Sequence, residues 1–202
     1  MAFCSIEAAG KDFRWLEHGS STHKAELRAL VDAHRECLPH TASSRAGKEV
    51  LFSLYEVLSA DPESAVFWNR EVRGFASGTC SLRKIEKLIP RRLAIWSKVK
   101  LMIFHAIWPV HLLSRLKWEK LIPRSDAGYV LTVGVADRDR TGASGAGALL
   151  MAALEDFFRS KKMKESWIDT EASNKRARRF YEKLSYTLVT GDFLQVLIRK
   201  KL

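Results

Sequence analysis

An α/β fold is what this sequence predicts, and three observations predict it. An apolar, β-like run over 129–135 leads into Gly142, Gly145 and Gly147, which fall within six positions, and a helix pattern with Leu150 and Leu154 four apart follows. A second strand-to-helix step repeats it about thirty residues on, with a strand over 166–170 and a helix carrying Ala177, Tyr181 and Leu184. Upstream, residues 65–68 and 74–82 read as two paired strands with 69–73 as the turn between them.

Length and composition set the frame. At 202 residues with 47% hydrophobic content, one domain spanning 1–202 is expected, with ample material for a core. Cys4, Cys37 and Cys80 are odd in number and far apart, which argues against a disulfide scaffold and against a metal site, so no metal is expected. The first residues show no basic segment followed by an apolar one, and no apolar run reaches the roughly 18 to 20 residues of a membrane span. A cytoplasmic location is the expectation. The formal charge of +11 calls for an anionic partner without choosing among a nucleotide cofactor, nucleic acid, a membrane face or an acidic substrate.

The remaining elements follow in order. Residues 2–7 suit a short first strand and 10–21 read as loop. Ser21 or Thr22 can cap a helix through Leu27, Leu30, Val31 and His34 that ends near Cys37, before Pro39. A second helix fits 44–58, with Val50, Leu51, Leu54 and Val57 on one stripe and Asp61-Pro62 after it. Residues 126–128 read as a turn, and the chain closes with two strands, over 186–189 and 193–198, that can form a hairpin.

Residues 83–124 stand apart. The hexapeptide Glu-Lys-Leu-Ile-Pro-Arg occurs at 86–91 and again at 119–124, bracketing a long apolar and aromatic segment. Eleven Lys and Arg against Glu86 and Glu119 put most of the excess positive charge here. Pro90 suits a first helical turn, Arg91, Lys98 and His105 form a polar stripe every seven residues, and Pro109 kinks or restarts the helix. The segment reads as a helical insertion between the third and fourth strands. Packing over a substrate cleft and lying at a membrane interface, with Trp96, Trp108 and Trp118 at headgroup level, both account for it. Nucleic acid is the weaker reading, since no recognised nucleic-acid motif is present and the apolar content is too high for a phosphate-tracking surface.

The chemistry concentrates at the glycine loop. Glycines let backbone N–H groups approach a ligand, and the unpaired N–H groups of the following helical turn favour an anion. A phosphate or pyrophosphate is the ligand expected. The loop has neither the Lys-Ser/Thr pair of a P-loop nor the glycine spacing of a dinucleotide fingerprint. Backbone amides over Ala143, Ser144, Gly145, Ala146 and Gly147 would hold the pyrophosphate, with Arg138 or Arg140 adding charge.

Taken together, the glycine loop at a strand-helix junction and the later strand, Asn174, Ala177 and Phe180-Tyr181-Glu182-Lys183-Leu184 resemble the two core motifs of the GNAT superfamily of acyl-CoA-dependent N-acetyltransferases. The match is specific over 129–186. It departs in two places: Gly142 stands where the superfamily usually has Arg or Gln, for which Arg140 is the candidate substitute, and Ser185 stands where it usually has Gly.

The resemblance implies a mixed central sheet flanked by helices, acetyl-CoA as co-substrate, and a small-molecule amine as acceptor. It further implies that Val133 and Val135 lie along the pantetheine arm, that Asn174 contacts the arm from the other side, and that Tyr181 protonates the departing thiolate. A phenol is chemically suited to that role. The general base is left open: Asp169 and Glu171 share a strand face, and Glu56, Glu63 and Glu71 have no better claim. With a basic insertion beside the acceptor side, an amino sugar or lipid-linked amine near a membrane is the acceptor expected. A basic or ribosomal polypeptide as acceptor, a longer acyl donor, and a non-catalytic acyl-CoA-binding or membrane-docking module are the rival readings.

Overall fold

The structure, a computed structural model, describes residues 6–8, 11–16, 23–70, 73–92, 121–123, 125–136 and 145–202. Its centre is a mixed sheet of eight strands: β1 (Ile6–Ala8), β2 (Lys11–Trp15), β3 (Ser64–Asn69), β4 (Gly74–Thr79), β5 (Ala127–Gly134), β6 (Glu165–Glu171), β7 (Thr187–Gly191) and β8 (Gln195–Lys201). Their spatial order is β1-β2-β3-β4-β5-β6-β8-β7. Only β5 and β6 pair in parallel; the other neighbours are antiparallel.

Helices cover both faces. On one lie α1 (His23–Cys37), α3 (Lys48–Ala60) and the start of α4 (Leu82–Arg92); Leu27, Leu30, Leu51, Leu58 and Ile85 pack there on Val66, Trp68 and Phe75. On the other lie α5 (Ala146–Ser160) and α6 (Lys175–Lys183), and Leu150, Leu154, Phe157 and Phe158 pack on Phe67, Ala76, Val130, Ile168 and Ile198. The period-two alternation assigns the faces: Val66 and Trp68 go one way, Ala65 and Phe67 the other.

Several expectations change. Residues 11–15, read as loop, form β2, whose Arg14 and Trp15 sit opposite Trp68 and Phe67 of β3. The helix expected over 44–58 is two, α2 (Ala42–Ala46) and α3, separated by Gly47 at φ 110, a value that side-chain-bearing residues rarely adopt. The strand expected to reach Leu82 ends at Thr79, and α4 begins at Leu82, so Pro90 falls in its last turn and not in a first one. Ala127 and Gly128, read as turn, already belong to β5. With β2 counted, the insertion lies between β4 and β5; its residues 93–120, including Trp96, Lys98, His105, Trp108 and Trp118, lie outside the described residues.

Candidate functional site

The site starts from a break in strand pairing. β5 and β6 run side by side only from Ala127 opposite Glu165 to Val130 opposite Ile168. Beyond that rung β5 stays paired with β4 up to Gly134, and β6 stays paired with β8 up to Glu171, but they no longer pair with each other. Burial falls on both strands at the same height: Leu131, Thr132 and Val133 on one side and Asp169 and Thr170 on the other are only partly buried. An irregularity in the β4–β5 register between Ser77 and Gly78 lies opposite the start of this opening. The result is a wedge whose two edges carry backbone N–H and C=O groups not used between the strands, which suits an extended ligand with amide groups.

At the top of the wedge, β5 leads towards the N-terminus of α5. Gly145 is the N-cap residue, in the left-handed conformation at φ 56, with no side-chain cap and no acidic residue in the first turn. An added Cβ there would meet nothing within 4 Å. A helix start with glycine at its N-cap and no acidic residue in its first turn suits an anion through the helix dipole. Ala146 is buried, whereas Gly147 serves packing too: a Cβ at that position would come within 3.3 Å of Phe180 on α6. Val135 lies beside Gly147, on the α5 face. Arg140, Gly142, Ala143 and Ser144 lie outside the described residues.

On the α5 and α6 side of the wedge, Tyr181 is buried, with its ring edge-on to Phe180 at 5.2 Å and to Tyr186 at 5.9 Å. Burial, and after it the negative charge of Asp169, raises its phenol above the usual tyrosine value. Tyr181 therefore stays a proton donor through the neutral range. Asn174 does a structural job that its sequence position foretold: its side-chain oxygen accepts from the Ala177 N–H at 2.9 Å and caps α6. The residue is exposed, and its side-chain amide N–H groups remain the part that can meet a ligand.

The opposite side of the wedge is polar in a way the sequence did not reveal. Tyr129 on β5 donates its hydroxyl proton to Oδ1 of Asp169 on β6, at the foot of the opening. Higher on β5, Thr132 Oγ1 lies 2.7 Å from Ser77 Oγ and 3.2 Å from the Tyr55 hydroxyl, which lies 2.7 Å from His34 Nδ1. His34 is fully buried and stacked on Phe75, and burial lowers its imidazole to about 4. It is neutral. The Thr41 hydroxyl donates to Leu38 O at 3.0 Å and lies 3.5 Å from His34 Nε2, which favours the proton on Nε2. Tyr55 then donates to His34, Thr132 to Tyr55 and Ser77 to Thr132, leaving Thr132 one spare lone pair at the wedge.

Other chemistry is disfavoured by its setting. Burial pushes the Cys80 thiol up to about 12, so it is no thiolate nucleophile. Among the described residues no group of three or more His, Cys, Asp or Glu could hold a metal ion.

Comparison with known proteins bears on the family and the fold. Residues 111–186 match the model of the acetyltransferase (GNAT) family. No curated protein matches the sequence. Among solved structures, an acetyltransferase from Streptococcus agalactiae superimposes with a TM-score of 0.59 at 14% identity, covering 96% of this chain and 100% of that one. A ribosomal-protein-alanine N-acetyltransferase from Brucella melitensis gives 0.56 at 17% identity, over 89% of this chain and 96% of its own. A Pyrococcus horikoshii protein gives 0.55 at 16% identity, over 94% and 98%. The resemblance read from the glycine loop and the Phe180-Tyr181 helix is thus borne out: the chain matches the GNAT family over residues 111–186 and has the GNAT-like mixed α/β fold.

Proposed function

We propose that this protein transfers an acetyl group from acetyl-CoA to a primary amine. The observation that carries the reading is the wedge between β5 and β6, open above Val130 and Ile168 and leading towards the glycine N-cap of α5. The pyrophosphate sits at the helix start around Gly145, Ala146 and Gly147, with Arg140, Gly142, Ala143 and Ser144, which lie outside the described residues, assigned to the rest of the cradle. The pantetheine arm runs along Val133 and Val135 and forms hydrogen bonds to the open edge of β5. Asn174 faces it from the other side. The acceptor nitrogen attacks the thioester carbon, and Tyr181 protonates the sulfur as the C–S bond breaks.

Calorimetry with acetyl-CoA tests the cofactor site. Gly145→Asp keeps a residue type that tolerates the left-handed conformation and adds a negative charge; Gly145→Asn is its neutral control. Binding lost in the Asp variant and retained in the Asn variant is the expected result, while equal binding in both would remove the anion site from this loop. In turnover, Tyr181→Phe lowers kcat by about 100-fold with little change in acetyl-CoA affinity. An unchanged kcat would end its role as the acid.

The acceptor is an amine presented near a membrane, such as an amino sugar or a lipid-linked amine, and the basic segment 83–124 supports this. In its described part Arg83, Lys84 and Lys87 are exposed, though Lys84 is already bound to Asp61 at 2.7 Å and Glu63 at 3.2 Å. No helix among the described residues is long and apolar enough to cross a membrane, and the contact proposed is a peripheral one. If Ala substitution of Trp96, Lys98 and Trp108 leaves sedimentation with anionic liposomes unchanged, the membrane element of this reading falls.

A further inference from the structure

Asp169 sits where the two halves of the wedge meet. It is the first residue of β6 beyond the last β5–β6 rung, and it projects to the same face as Trp167 and Tyr129. The Tyr129 hydroxyl fixes its Oδ1. Tyr129 is itself buried, so the bond holds the carboxylate in one orientation at the foot of the opening.

Most of the other carboxylates around the sheet already have partners. Asp61 takes Lys84 and Ser64, Glu155 takes Lys200 and Arg159, and Glu165 takes Arg199 and Trp167. Glu26 accepts from Trp68, and Glu171 is exposed at the end of β6. Asp169 alone of these is partly buried in the wedge without a Lys or Arg partner among the described residues, in a chain with a formal charge of +11. A carboxylate in that setting has an unfilled place for a cation.

We infer that Asp169, oriented by Tyr129, receives the acceptor's ammonium group and acts as the general base of the transfer. The inference rests on the acetyl-transfer reading and supplies the residue which that reading lacked. The ammonium ion gives one proton to Asp169, which passes it to bulk water. The neutral nitrogen attacks the carbonyl carbon, forming the C–N bond, and the N–H proton it then sheds goes to Asp169. The C–S bond breaks and the sulfur takes the Tyr181 proton; Asp169 then loses its proton to water, and the Tyr181 phenolate takes one back from water. The net result is an N-acetylamine, CoA thiol and one released proton. Asp169 and Tyr181 approach the gap from opposite faces of the sheet, which places base and acid on opposite sides of the reacting carbonyl.

The test uses the full chain with acetyl-CoA and two small acceptors of similar size: ethylamine, a cation at neutral pH, and 2,2,2-trifluoroethylamine, which is neutral there. Asp169→Asn is nearly isosteric, and its carbonyl oxygen still accepts from Tyr129. It loses about 100-fold or more with ethylamine but only a few-fold with the neutral amine, and acetyl-CoA binding by calorimetry stays at the wild-type level. Tyr129→Phe shows the same selectivity at about 10-fold, because it loosens the carboxylate without removing it. Equal losses with both amines, or none, would overturn the assignment and leave acetyl transfer standing. A wild type that binds acetyl-CoA but acetylates neither amine would sink the transfer reading and this assignment together.

Discussion

The two faces of the sheet are built from different interactions. Under α5 the middle of the helix packs through apolar contacts, Leu150, Leu154, Phe157 and Phe158 lying on apolar strand residues with Gly78 and Gly128 making room for the Phe158 ring, and the polar pairs there, Lys200 with Glu155 and Ser166 with Tyr186, lie off the wedge. Under α1 and α3 a hydrogen-bonded chain of His34, Tyr55, Thr132 and Ser77 crosses the core, and Tyr129 holds Asp169 lower down. Dispersion packing tolerates no added volume, and that suits a platform for the amides that α5 is proposed to present. A hydrogen-bonded network fixes individual polar atoms, and that suits the side proposed to orient the acceptor.

The largest effect expected from breaking this contrast is on the α5 face. A Cβ at Gly128 would lie 2.3 Å from Phe158 Cγ, so Gly128→Ala costs about 3 kcal/mol in urea denaturation, and adding Phe158→Leu recovers part of it. A tolerated Gly128→Ala would show this face to be as adaptable as the other.

The α1 face answers to pH instead. His34 has a folded pKa of about 4 against 6.5 in the unfolded chain. Its contribution is present in full above pH 6.5 and is lost as pH falls towards 4, because the unfolded chain takes up the proton that the buried ring refuses. The window corresponds to about 3 kcal/mol. His34→Gln keeps an acceptor for Tyr55 and removes the titration, so the difference in stability between wild type and variant should shrink by that amount on acidification. A constant difference between pH 6.5 and 4 would mean that His34 is protonated in the fold.

The smallest change returns to the α5 and α6 side and has the opposite sign. Ser185 stands at φ 69 just after α6, a conformation that a Cβ disfavours. Ser185→Gly should stabilise by ~1 kcal/mol, read as a rise in melting temperature. The same φ gives the physical reason why glycine is usual at this position in the family that the sequence resembles.

Most elements were legible because their signals are local. The stripes at Leu27, Leu30 and Val31 and at Val50, Leu51 and Leu54 end up buried, and Asn174 caps its helix as its position suggests. The break at Gly47 was also legible in principle, from a lone glycine inside the stripe. The same holds for the start of α4, where Leu82, Ile85 and Ile89 recur at helical spacing. β2 was not legible: Lys11–Trp15 carries charge and is a strand because β3 offers it an open edge.

At the proposed site, the glycine loop, Asn174 and Tyr181 are the candidates that contiguous motifs bring out. The Tyr129–Asp169 and Tyr55–Thr132 pairs could not, since their partners are 40 and 77 residues apart in the chain. By itself the sequence determined the strand and helix that flank the proposed anion site, because glycine spacing and apolar period act within a few residues. Only the tertiary structure decided where β5 and β6 part and which polar side chains face the gap, because strand register selects the partners of every side chain, and register is settled by the whole sheet.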